Sequence, residues 1–181
     1  NPPASAGGCL VRFLPVSSLT WDDLFVEVEH LDFVRLLAEW PSVVTGQVGP
    51  IGASAFGDLF FERRSGNVEK LDVLEGGVRR VAANRQEFAA LMNDQSWQEH
   101  NLLSQGIALL KERGVSRSVG QFFGFAPHPV FTGKIDWSRA MALDAVVWNS
   151  ICAQSLSEAA PPTQAPPIDT SKQSGWKFGR G

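Results

Sequence analysis

The chain predicts an α+β fold: an antiparallel β-meander flanked by helices, in helix–strands–helices order. Three observations carry this. Apolar residues at helical spacing occupy residues 20–40. Short β-branched or aromatic runs separated by glycine turns fill residues 43–81. Helical spacing returns from residue 84 onward. Strands grouped between helices, rather than alternating with them, argue against a βαβ-wound sheet.

In the first third, Thr20 reads as an N-cap, with Asp22 and Asp23 in the first turn where the helix dipole favours negative charge. Trp21, Leu24, Phe25, Val28 and Leu31 recur at helical spacing. A second apolar set follows at Phe33, Leu36, Leu37 and Trp40. The stripe shifts near Asp32, which predicts either a kink or two consecutive helices with Asp32 as the second N-cap. Pro41 ends the run. Upstream, Leu10–Val16 reads as a short edge strand.

The strands are predicted at Val43–Thr45, Ile51–Phe56, Leu59–Glu62, Val68–Val73 and Val78–Val81. Gly49-Pro50, Gly57-Asp58, Ser65-Gly66-Asn67 and Gly76-Gly77 separate them, as tight turns of a meander do. Polar residues within the last two strands predict one face turned to water. Asn84 then reads as an N-cap, with Glu87 three residues on. Phe88, Leu91 and Met92 form its apolar stripe. Trp97–Lys111 holds a further helical pattern ended by Gly114. Gln121–Phe125 reads as a strand bounded by Pro127-His128-Pro129, and Met141–Ala153 as a buried final helix.

A length of 181 residues with 44% apolar and 19% charged residues suits one globular domain. We place it at residues 10–154, between a flexible N-terminus (1–9) and a Pro/Ser/Gly-rich tail (155–181) in which Trp176 and Phe178 are unusual. The chain has 12 Phe and 6 Trp but no Tyr, which favours packing over hydroxyl-mediated recognition. Cys9 and Cys152 are expected to be unpaired thiols rather than one long-range disulfide. No stretch approaches a membrane span, and the first residues do not read as a signal peptide.

Charge is asymmetric. Residues 1–62 carry two Arg against eight Asp or Glu, whereas the remainder is net basic. No concentrated basic face suggests direct nucleic-acid binding. Asp22, Asp23, Glu27, Glu29 and Asp32, with Glu39, form the densest charge feature. They read either as a solvated face or as a landing site for a basic protein.

Catalytic patterns are weak. The glycines of 46–57 lack the Lys-Ser/Thr pair of a phosphate loop, and Gly49-Pro50-Ile51-Gly52 opens no helix. Ser54 lacks the later glycine of a nucleophile elbow, since Phe56 stands there. His30, His100 and His128 show no metal-ligand spacing, so no metal or cofactor is expected. Asp58, Glu62 and Asp72 on neighbouring strands could pair for acid–base work, but strand acids usually face solvent. The enzymatic alternative would join His128 with Asp58 or Asp72 in a cleft.

The segment from Ile51 to about Gln154 resembles the C-terminal domain of type VI secretion immunity proteins that guard bacteria against a DNase effector. The resemblance lies in Ala55-Phe56-Gly57-Asp58-Leu59-Phe60-Phe61, Gly66-Asn67-Val68, Leu71-Asp72 and Gly76-Gly77. It continues through Glu87-Phe88, Gly120–Phe125, Thr132–Asp136, Leu143-Asp144 and Ala153-Gln154. It implies an immunity-protein-like domain that is cytoplasmic and non-enzymatic, binding a cognate toxin and no membrane. It supplies no catalytic residues. An interaction module without a toxin partner is a further alternative.

Overall fold

The computed structural model describes residues 19–160. The predicted edge strand at Leu10–Val16, Cys9, Trp176 and Phe178 lie outside the described residues. The fold is α+β, and its first sheet is an antiparallel meander in which β1 (Phe25–Glu27), β2 (Val48–Ser54), β3 (Leu59–Arg63), β4 (Val68–Asp72) and β5 (Gly77–Ala82) follow one another in space as in sequence. A two-stranded antiparallel sheet follows, made of β6 (Gln121–Phe125) and β7 (Ala140–Asp144). Helices α1 (Trp21–Leu24) and α2 (Phe33–Ala38) precede β2. Three helices, α3 (Arg85–Leu91), α4 (Gln95–Leu102) and α5 (Ser104–Glu112), separate the sheets. A short α6 (Pro129–Thr132) and the long α7 (Ala145–Ala159) complete the set.

The predicted helix over Trp21–Leu31 is corrected. Helix α1 ends at Leu24, Phe25–Glu27 pair with Ser54, Ala53 and Gly52, and Val28–His30 form a 3-10 turn. Apolar spacing suited a helix, but pairing with β2 satisfies the same backbone groups and still buries Phe25 and Val26. Asp32 does cap α2, its Oδ1 accepting from the Arg35 amide at 3.1 Å. Val43–Thr45 is turn and bend rather than strand. The predicted helix over residues 97–111 is two helices, broken where Leu103 turns left-handed at φ 53°. Met141–Asp144 belongs to β7; Asp144 then caps α7 by accepting from the Val146 and Val147 amides at 3.0 and 3.1 Å. Helix α7 also runs past the predicted domain boundary at 154, to Ala159.

The core lies where the meander, the β6–β7 pair and α7 meet. The Phe123 amide donates to Ala55 O at 2.8 Å, stitching the sheets together. Trp148, fully buried, donates from its indole to Phe56 O at 2.8 Å. Gly124 lets that indole close in: a Cβ there would lie 2.6 Å from Leu143 Cδ1 and from Trp148 Cε3. Trp40 and Asn149 tie α2 to α7 through a buried 2.6 Å hydrogen bond. Strand β5 is an outer strand of the meander, with Arg79 and Arg80 exposed. No helix of the described residues is long and apolar enough to cross a membrane.

Candidate partner groove and buried charge cluster

The acidic N-terminal segment is held in place by local caps and by two cations from a distant part of the chain. Asp23 Oδ2 accepts from the Thr20 amide at 2.8 Å and the Thr20 hydroxyl at 2.9 Å. It also pairs with Lys111 Nζ at 2.7 Å. Burial works against the Asp23 carboxylate, but the donors from Lys111 and Thr20 outweigh it and hold its pKa below the ordinary value. Arg117 donates to the backbone oxygens of Asp22 and Phe25. Its burial pulls the guanidinium below the usual arginine range, against the pull of Asp23 and Asp22. Lys111 and Arg117 thus clip the segment onto α5 and the α5–β6 connection.

A groove of about 420 Å³ runs along this clip. Asp22, Asp23 and Glu27 line it together with His30, Lys111 and Arg117, above buried Phe25, Ile107 and Phe123. Val119, 75% exposed, stands at its rim. Of the five acids singled out in the sequence, Asp22, Glu27, Glu29 and Asp32 are exposed. Asp23 is half-buried and committed to Lys111, while Asp32 is committed to its cap. Glu27 accepts from the Trp21 indole at 2.8 Å, which orients its carboxylate. Glu29 and Asp32 flank the groove in sequence but are not among its lining.

A second polar site joins Asp58 and Asp72, which the sequence pointed to, with Lys70, which it did not. Asp58, expected on a solvated strand face, is 4% exposed, and Lys70 is 3% exposed. Lys70 Nζ lies 2.9 Å from Asp58 Oδ2 and 3.2 Å from Asp72 Oδ2, and donates to Asn101 O at 3.1 Å. Asp58 Oδ1 accepts from the Val73 amide at 3.1 Å, and its Oδ2 accepts from the Ser54 hydroxyl at 3.1 Å. Ser54 Oγ in turn accepts from the Asp58 and Phe56 amides, closing the β2–β3 turn. Ser54 is therefore a turn residue tied to its own loop. Burial pulls the Lys70 ammonium down, but Asp58 and Asp72 override it and hold its pKa above the ordinary lysine value. Two carboxylates share one ammonium, so burial and Asp72 push the deeper carboxyl, Asp58, up.

This cluster forms the inner wall of a cleft of about 600 Å³, whose outer lining includes Arg79, His100, Lys134 and the α6 residues Pro129 and Val130. His128, which the enzymatic alternative would join with Asp58 or Asp72, is 3% exposed. Its Nδ1 accepts from the Val130 amide at 3.2 Å, and its ring lies 5.6 Å from that of Trp148. Asp58 and Asp72 meet through Lys70, not through a histidine. Among the described residues, no group of three or more His, Cys, Asp or Glu is placed to hold a metal ion. Cys152 is a free, buried thiol.

No family model and no curated protein matches the chain. Among solved structures it is similar to the crystal structure of Atu4351 from Agrobacterium tumefaciens, at 16% identity and a TM-score of 0.46. The match covers 67% of this chain and 62% of that one, so the chain spans less than two thirds of that neighbour.

Proposed function

We propose that this chain is a non-enzymatic, immunity-type binding protein of the cytoplasm that neutralises a toxin, a nuclease with a basic cleft, by covering its active site. One observation carries the reading: Asp22 and Glu27 present exposed carboxylates along a groove whose acidic segment is clipped by Lys111 at the Asp23 carboxylate and by Arg117 at the Asp22 and Phe25 carbonyls. A pre-ordered acidic surface offers a basic cleft the charge pattern of phosphates without paying for loop ordering on contact. Exposed Glu29 and Asp32 extend the field that steers encounter, and Val119 at the rim supplies apolar contact. The Asp58–Lys70–Asp72 cluster, by contrast, spends its hydrogen bonds on the fold. The motif resemblance over residues 51–154 supports the same class.

The test is binding to the product of the neighbouring gene, by calorimetry and by growth rescue on co-expression. The wild-type chain binds and rescues. The triple variant Asp22→Lys, Glu27→Lys, Glu29→Lys associates about tenfold or more slowly at low ionic strength, and the gap narrows with added salt. No binding by the wild-type chain to the product of either adjacent gene overturns the reading.

A further inference from the structure

Helix α6 follows its N-cap, His128, and forms part of the outer wall of the cleft over Asp58, Lys70 and Asp72. Its start is held by an unusual cap. His128 Nδ1 accepts from the Val130 amide at 3.2 Å, so that nitrogen carries a lone pair and the ring proton sits on Nε2. Nε2 is buried and meets no acceptor among the described residues. The ring is 3% exposed and packs on Trp148, which is itself fixed to Phe56 O. A second proton has one place to go, Nδ1, where it would face the Val130 N–H donor to donor.

We propose that α6 is an acid-released latch: protonation of His128 dissolves the cap, frees α6 from Trp148 and opens the cleft above the buried Asp58–Lys70–Asp72 cluster. The charged groups facing the latch across the cleft are Asp58, Lys70 and Asp72 on the inner wall. Glu75 and Arg79 come from the β4–β5 turn and β5, His100 from α4, and Lys134 from the segment after α6. None of them reaches His128 Nε2. Burial alone therefore sets the proton affinity of His128 and pushes its pKa below the ordinary 6.5. The sign follows. In the open state the ring regains its ordinary affinity, so closure is at full strength above pH 6.5 and weakens as pH falls below it.

Hydrogen exchange of the full chain, corrected for the intrinsic pH dependence of amide exchange, tests this at pH 7.5 and pH 5.0. The expected result is faster exchange of the amides of residues 130–133, by up to about 30-fold at pH 5.0, the limit set by an open-state pKa near 6.5. Amides of β3 and β4 keep their protection. His128→Asn places a non-titrating oxygen where Nδ1 stands, so its α6 exchange shows no such acceleration. His100→Gln behaves as wild type, separating the latch from the exposed cleft histidine. Unchanged exchange in wild-type α6, an equal acceleration in His128→Asn, or loss of β3 and β4 protection alongside α6 overturns the proposal. Should His128→Asn fail to fold, carbon-detected titration of the wild-type His128 ring decides: a midpoint below 6.5 that coincides with a shift of the Val130 amide supports the latch, and any other result overturns it.

Discussion

Replacing Lys70 with Met removes one ammonium from the most buried charge cluster among the described residues. Its Nζ serves Asp58 at 2.9 Å, Asp72 at 3.2 Å and Asn101 O at 3.1 Å. Methionine fills most of the space but satisfies none of these acceptors. Breaking a buried ion pair from one side costs about 3–5 kcal/mol, because the remaining charge stays desolvated. With a urea m-value of about 2 kcal/mol/M, the unfolding midpoint falls by about 1.5–2.5 M. Urea denaturation at pH 7, followed by far-UV circular dichroism, measures it. The double variant Lys70→Met, Asp58→Asn separates charge from packing. Neutralising Asp58 removes the orphaned charge, so the double variant loses less than the two single variants together, by about 1 kcal/mol or more. Acidity gives an independent check. Burial pushes the Asp58 carboxyl above its ordinary 3.8, and Lys70 is the chief opposing influence. Without Lys70 the folded chain binds a proton at Asp58 more readily than the unfolded chain, so the variant gains stability relative to wild type as pH falls from 7 toward 4. A loss below about 1 kcal/mol, or full additivity of the two single changes, would refute the reasoning.

Two other perturbations probe the core. Gly124→Ala drives a methyl to 2.6 Å from Trp148 and Leu143, and overpacking of this kind lowers stability by about 1–3 kcal/mol in thermal or urea unfolding; an unchanged midpoint contradicts the close approach. Burial, with Asp58 and Asp72 adding to it, pushes the Cys152 thiol far up, so its peptide stays unmodified by iodoacetamide at pH 8 until urea is added. Mass mapping that finds native Cys152 alkylated within minutes would show the α7 interface to be open.

The sequence carried the architecture best where a local signal had one reading. Asp32 and Asn84 were legible as caps because a side-chain oxygen ahead of an apolar stripe has few other uses, and both accept from the amide three residues on. The glycine turns marked the order of β2 to β5. Residues 25–27 misled because Trp21, Leu24, Phe25 and Val28 fit a helix as well as a short strand, and only distant Ala53 and its neighbours decide between them. Leu103 adopts a left-handed conformation with no glycine to announce it. At Asp144, the cap that starts α7 was present in the sequence but hidden within a continuous apolar run.

Of the candidate sites, the acids of residues 22–32 were visible as charge density, but the clip that orders them was not. Lys111 and Arg117 lie more than 85 residues from Asp23 and Phe25 in the chain. Asp58 and Asp72 were named as a possible pair, but Lys70 was missed because a lysine between Val68 and Asp72 looks like a solvated strand position. Here α4 covers that face and offers Asn101 O to the ammonium.

Midway along β5, the outer strand of the meander, Arg79 and Arg80 point to opposite sides because consecutive strand residues alternate faces; Arg79 donates to Asn101 Oδ1 and Arg80 stands on the other face. Two copies approaching edge to edge would bring like charges together at this strand. Charge carried on an outer strand in this way discourages stacking into filaments.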